Sequence, residues 1–319
     1  MASPRRTARR ASTTAVRDER VLRLGTRGSA LALAQARLAA LRLEADGWSV
    51  ELVRITTGGD RAPSEPSMML ARGAFVTELE QALRERSIDL AVHSAKDMPV
   101  QESAGVTVAV YLPRGDARDA IVSRSGAGLA GLAAGARVGT ESPRRRAFLL
   151  LDRPDLEVVP IRGNVDTRLA KLDRGEVDAL VVAAAGLDRL GVADRIAEVL
   201  EIDRMLPAVG QGALAVQVRA GDPFVHDLSG LDDSPTRYAL TAERSFLAAM
   251  GGGCRSPFAA YARSDGGRVE LSGAAVDPDG RGLVRDRVVG PAAGAGELGE
   301  GLAAILLERG AGTLAESRS

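Results

Sequence analysis

The chain has 319 residues, 45% of them hydrophobic and 26% charged, with Lys+Arg and Asp+Glu balanced at 42 each. That length supports two or three domains with ample core, and the formal net charge of +0 argues against a large non-specific nucleic-acid surface. No apolar run approaches the roughly 20 residues of a membrane span, and one cysteine excludes an internal disulfide or a cysteine-based metal site, which fits a reducing compartment or a protein indifferent to redox state.

Residues 1–20 are basic, rich in Ser and Thr, and lack an apolar stretch. They read as a disordered basic tail, with a transit peptide as the other reading, and not as a secretory or twin-arginine signal. Val21–Thr26 (VLRLGT) reads as a strand ending at a Gly-Thr turn. Ser29 then caps an amphipathic helix, SALALAQARLAALRLEADG, closed by Gly47. Trp48–Thr56 alternates as a strand does. Residues 63–72 form a loop, Phe75–Arg86 a helix and Asp89–His93 a buried strand. This β-α-β-α-β order predicts a parallel sheet with helices on its faces.

A second round follows. Strands fall at Ala120–Ser123 and Ala136–Gly139, and a helix starts at Ser142-Pro143. Next come a strand at Glu157–Ile161, a helix at Val165–Leu172, a buried strand at Asp178–Ala183 and further helix from Gly186–Leu190. Ala213–Arg219 reads as one more strand, a candidate to return to the first domain. From about Ser234 the pattern changes to a helix (TRYALTAERSFLAAM), then strands, then a last helix near Leu298–Leu307. The fold class is α/β with three domains: 21–114 together with 212–232, then 115–211, then a smaller α+β unit at 233–319.

Three strand ends turn through small polar residues into a helix with arginine at the turn. They are Gly25-Thr-Arg-Gly-Ser29, Gly139-Thr-Glu-Ser-Pro-Arg-Arg-Arg146, and Ile161-Arg-Gly-Asn164 with Arg168 one turn on. Ser142 and Asn164 stand as N-caps, and Pro143 suits the first helical position. A helix N-terminus favours anions, so arginine there opposes the dipole unless an anion is expected. Any one such arginine is commonly a solvated surface residue; three at the carboxyl ends of α/β strands point to one anion-binding crevice. Neither a phosphate loop nor a dinucleotide fingerprint is present, so the carboxylates of a small molecule are the better match for these guanidinium forks.

Asp97, in His93-Ser-Ala-Lys-Asp-Met-Pro99, follows a buried strand directly. A carboxylate there can carry protons or stabilise a developing cation, and its cationic neighbours favour the charged form. The alternative is an Asx-turn before Pro99. Of the 42 Lys+Arg residues only Lys96 and Lys171 are lysine, which singles out Lys96 beside Asp97. His93 reads as packed or hydrogen-bonded, His226 lies in a polar loop, and two separate histidines make no metal set. Cys254 sits in Met250-Gly-Gly-Gly-Cys-Arg-Ser-Pro257. It reads as a nucleophile or a covalent attachment point with glycines clearing space around it, or as a small buried hydrophobe. A hydrolase would need a histidine partner, and neither histidine lies in a motif that supplies one.

Taken together these stretches resemble the porphobilinogen deaminase (hydroxymethylbilane synthase) family. The matching segments are TRGSALALAQA at 26–36, GAFVTELEQAL at 73–83, DLAVHSAKDMP at 89–99, VGTESPRRRA at 138–147, IRGNVDTRLAKLDRGEVDALVVAAAGLDRLG at 161–191, LPAVGQGALAVQVR at 206–219 and GGGCRSP at 251–257. The resemblance implies two lobes like those of type II periplasmic binding proteins and a small domain bearing a cofactor cysteine. It implies a transferase of tetrapyrrole and heme biosynthesis that joins four porphobilinogen molecules head to tail with loss of ammonia, releasing hydroxymethylbilane. The primer would be a dipyrromethane cofactor in thioether linkage to Cys254, with Asp97 catalytic. Arg27, Arg162 and Arg168 would bind substrate. Lys96, Ser29, Arg144, Arg145 and Arg189 would bind the cofactor, helped by Ser94, Thr140 and Ser142. The implied protein is a monomer without metal, nucleic-acid or membrane partner. A non-catalytic two-lobed anion-binding protein is the alternative, which would need neither Cys254 nor Asp97. The chain departs from the family pattern at Gly251, Glu141, Pro143, Arg72 and Ala34. Of these, Glu141 places an anion near a proposed anion site.

Overall fold

The structure is a computed structural model that describes residues 20–56, 76–252 and 256–316. The expected basic tail, the loop at 63–72, Arg72, Phe75 and Cys254 lie outside the described residues, apart from residue 20 itself.

In chain order the first elements are β1 (Val21–Thr26), α1 (Ala30–Ala45), β2 (Ser49–Arg54), α2 (Thr77–Arg84), β3 (Leu90–Ser94) and β4 (Val106–Tyr111). The second group is β5 (Asp119–Ser123), β6 (Arg137–Gly139), α3 (Pro143–Asp152), β7 (Glu157–Val159), α4 (Val165–Asp173), β8 (Ala179–Ala183), α5 (Ala184–Arg189) and β9 (Glu198–Val199). Then come β10 (Leu214–Arg219), α6 (Ser234–Ala249), β11 (Phe258–Asp265), β12 (Arg268–Val276), β13 (Leu283–Pro291), α7 (Ala295–Glu308) and α8 (Ala311–Glu316). Strand β4 was not anticipated, although its run VTVAVY carries the β-branched alternation of a strand.

Among the described residues three sheets form, in the orders β2-β1-β3-β10-β4, β7-β6-β8-β5-β9 and β11-β12-β13. The α/β class with two lobes and a smaller α+β unit therefore holds. Strand β10 does return to the first sheet. The strands of the first β-α-β-α-β unit pair in parallel as expected, β1 with β2 and with β3, whereas β10 runs antiparallel to β3 and β4, and β5 runs antiparallel to β8 and β9. Direction of travel explains this. The other strands run toward the crevice, so a strand that has just crossed from the opposite lobe starts at the crevice and must run away from it. Each lobe thus carries one reversed strand, and it is the strand that follows a crossing.

Each lobe buries its own core, with Leu22, Leu24, Leu90 and Val216 in the first and Ile121, Val138, Leu149 and Val181 in the second. On β12 the period of two divides the faces: Ala274 and Val276 join the second lobe's core beside Phe148, while Ala275 joins Phe246 and Leu302 beneath α6 and α7. The third unit is therefore welded to the second lobe through α3.

The two crossings run side by side, with Leu112 N donating to Leu214 O at 3.0 Å and Gly115 N to Gly212 O at 3.2 Å. Gly212 has φ +87°, and a Cβ there would lie 2.6 Å from Gly115 O, so this contact admits only glycine without distortion. Glu243, fully buried on α6, clamps both segments. It accepts from Arg114 Nη1 and Nη2 at 2.5 and 3.2 Å on the first crossing, and from Gly210 N at 2.7 Å on the second.

Candidate active site

The carboxyl ends of the strands surround a cavity of about 300 Å³ between the lobes. Ser29 caps α1 by accepting from Ala32 N at 3.3 Å, which holds the β1–α1 turn and sets Arg27 on one wall. Ser94 ends β3, and its hydroxyl accepts from Gln35 Nε2 of α1 at 2.9 Å. The next turn of 3₁₀ helix, Ala95–Asp97, delivers Lys96 and an exposed Asp97 into the crevice. From the other lobe come Arg145 on α3, Arg168 on α4 and Arg189 on α5. Asp97 is the one carboxylate among the described lining residues, facing Arg27, Lys96, Arg145, Arg168 and Arg189.

The tandem arginines separate. Arg144 is buried, donating to Asp119 Oδ2 and Leu206 O at 2.6 Å each, and it is not among the lining residues. Arg145 donates to Asp119 Oδ1 through Nε at 3.0 Å and Nη2 at 2.8 Å, and also reaches the crevice. Successive helical positions point about 100° apart, so neighbours in sequence serve different surroundings. Burial alone would raise the Asp119 pKa, yet the two guanidiniums and Gln211 hold it at about 2. Asp119 and Gln211 are the residues the sequence reading missed. Their signal was a carboxylate opening an otherwise apolar strand and a glutamine between two glycines.

Burial pushes Lys96 down to about 8, Arg145 adding to the shift and Asp97 opposing it. Arg168 is lowered by burial and by Arg145, against the fields of Glu141 and Asp97. Its Nε donates to Gly163 O at 2.8 Å across the β7–α4 turn. Asn164 occupies the N-cap position of α4, but its side chain makes no capping bond. Arg189, also lowered by burial, donates to Gly212 O on the second crossing. Cations pressed below their ordinary values by burial and mutual repulsion suit a site that receives carboxylates.

Ser142 caps α3, accepting from Arg145 N at 3.3 Å, and Thr140 Oγ1 accepts from Ser142 N at 3.2 Å. These two residues shape the turn and are not among the lining residues; nor is Arg162, whose Nε donates to Glu141 Oε1 at 3.0 Å. His93 is buried, with Nε2 3.1 Å from Gln217 Oε1, and burial pushes it down to about 4. His226 lies exposed, and no metal-binding cluster occurs among the described residues. Near the cysteine, the space a Cβ on Gly252 would need is filled by Phe258 and Leu247, 2.5 and 2.7 Å away. That glycine therefore serves the packing of its own turn, a correction to the idea that the whole run clears room for a ligand.

The family model described as "Porphobilinogen deaminase, dipyromethane cofactor binding domain" matches residues 22–227, and "Porphobilinogen deaminase, C-terminal domain" matches 238–308. The chain is 50% identical over 290 residues to the porphobilinogen deaminase of Rubrobacter xylanophilus, covering 90% of this chain and 94% of that one. It is 48% identical over 293 residues to that of Roseiflexus castenholzii, covering 91% and 96%. Among solved structures it is similar to the methionine binding protein MetQ, at 14% identity and a TM-score of 0.42, covering 66% of this chain and 89% of that chain. With the family models spanning both lobes and the third unit, and relatives matched over nine-tenths of the chain, the chain belongs to the porphobilinogen deaminase family.

Proposed function

We propose that this chain joins porphobilinogen units head to tail on a dipyrromethane primer attached through Cys254, and that Asp97 handles the charge and protons of each addition. The observation that carries this reading is that, among the described lining residues, Asp97 is the one carboxylate and stands among five cations in the inter-lobe cavity. A group bearing two carboxylates per pyrrole ring fits such a lining, because half-buried cations are stabilised by carboxylates that share their enclosure. When bound, the dipyrromethane supplies the electron-rich pyrrole terminus that receives the first substrate.

Lys96, Arg145 and Arg189, with Ser29 and Ser94, are placed to hold the cofactor carboxylates. Arg27 and Arg168 are placed to take those of the substrate, with Arg162 at the rim. We assign Arg144, Thr140 and Ser142 to the support of this wall, since Arg144 secures Asp119 and the other two shape the turn before α3. Breaking the carbon–nitrogen bond of the substrate's protonated aminomethyl group releases ammonia and leaves a cation shared between the remaining methylene carbon and its pyrrole ring. Asp97 stabilises that charge, then accepts the ring proton displaced when the new carbon–carbon bond forms. The cations keep the carboxylate side chains still while charge develops at the reacting carbon.

Among the described residues no helix is long and apolar enough to cross a membrane. We read the protein as a cytoplasmic monomer that binds a small pyrrole and neither nucleic acid nor membrane. A non-catalytic anion-binding protein would leave Asp97 without a task. Intact-mass measurement tests the central claim. The purified chain is expected to exceed its sequence mass by one dipyrromethane, and Cys254→Ser to lose both adduct and turnover. An unmodified chain that consumes porphobilinogen would overturn the attachment.

A further inference from the structure

We propose that Glu141 is a positioning residue of the substrate site, an internal carboxylate that occupies Arg162 and that an incoming substrate carboxylate must displace. The proposal rests on the reading of Arg162 as a substrate arginine. Strand pairing brings the two residues together. β6 and β7 are parallel with Gly139 opposite Val159, and Thr140 N donates to Val159 O at 2.9 Å. Both chains then leave the sheet at the crevice side, Glu141 two residues past the end of β6 and Arg162 three past the end of β7. Thr140 Oγ1 accepts from Ser142 N and Ser142 caps α3, so the backbone on both sides of Glu141 is fixed. Its side chain accepts from Arg162 Nε at 3.0 Å.

The pair is accessible, with the Arg162 and Glu141 side chains 42% and 28% exposed, so exchange of one carboxylate for another needs no repacking of the core. Glu141 also acts on Arg168 through its field, opposing the effect of burial there. One carboxylate thus tempers two arginines of the same wall, and it resembles in chemistry the acetate or propionate group that would replace it. Without it, Arg162 and Arg168 would have one carboxylate fewer to offset their charge. With it, part of the substrate's Coulombic gain goes into breaking an existing pair, and affinity falls.

The test is steady-state kinetics on the cofactor-loaded enzyme with porphobilinogen, using Glu141→Gln, Arg162→Gln and the double variant. Glutamine keeps size and a hydrogen-bond acceptor while removing the charge. For a pair this exposed, E141Q is expected to lower KM by about 1.4- to 5-fold, with the change in KM and not in kcat. R162Q is expected to raise KM, and E141Q added to it to have a smaller effect than in the wild-type background, because only the field on Arg168 then remains. Equilibrium binding of porphobilinogen in an Asp97→Ala background should show the same fall in Kd. An unchanged or higher KM in E141Q, or an effect of E141Q undiminished in the R162Q background, would overturn the proposal. If R162Q itself leaves KM at the wild-type value, the assignment of Arg162 fails and the proposal fails with it.

Discussion

Replacing Asp119 by asparagine should cost the protein a large part of its stability. Asp119 is fully buried and takes four hydrogen bonds, one from Arg144, two from Arg145 and one from Gln211. Asparagine keeps the volume but removes the charge and turns half of the acceptor surface into a donor, leaving two buried guanidiniums facing an amide. Breaking a buried pair from one side costs about 3–5 kcal/mol. Linkage bears on the same group independently. Its folded pKa of about 2 lies below the value of about 3.9 for an unfolded chain, worth about 2–3 kcal/mol. Because the folded value is the lower one, this contribution is complete above roughly pH 4 and is lost as pH falls toward 2. The assay is urea unfolding at pH 7, followed by far-UV circular dichroism because Trp48 reports on the other lobe's core. Repeating it between pH 5 and 2 gives the acid profile. D119N should lose about 3–5 kcal/mol at pH 7 and should show a flatter acid profile. A loss below about 1 kcal/mol, or an acid profile unchanged from wild type, would refute the reasoning.

Asp97→Ala should fold as the wild type does, because Asp97 is exposed, yet lose nearly all turnover of porphobilinogen; wild-type rates would remove Asp97 from the mechanism. His93, pushed down to about 4 by burial, should make the protein lose about 3 kcal/mol as pH falls from about 6.5 to 4. Since its folded pKa is depressed, that stability is present above 6.5, and His93→Gln should flatten the slope in this window only; an unaltered slope would contradict the assignment. Gly212→Ala should lower the unfolding midpoint by the equivalent of about 1–3 kcal/mol and reduce activity, because the added Cβ meets the backbone of the first crossing. Wild-type stability in that variant would show that the crossing yields at no cost.

Much of the crevice was legible before any coordinates. The strand–turn–helix punctuation around Arg27, Ser142 and Asn164 depends on local chemistry, and local chemistry is written in adjacent residues. Ser29 and Ser142 cap as their positions require, while Asn164 holds the position without the bond. Arg144 and Arg145 could not be told apart, because their difference lies in what each finds across the fold: Leu206 and Asp119 for one, Asp119 and the crevice for the other. The two reversed strands escaped for a similar reason. A β-α-β pattern shows which segments are strands, but only the two crossings between lobes reverse β5 and β10.

The sequence by itself determined the element order of the lobes, the α/β class, the family, and the set of cations gathered at strand ends around one aspartate. These follow from periodicity, capping and motif spacing, all of which act within a few residues. The tertiary structure alone decided which cations reach the cavity, which are held by Asp119, and that Glu141 meets Arg162. Those are partnerships between residues 21 to 62 positions apart or more, and a long-range contact is set by how strands register and cross, which no local pattern encodes.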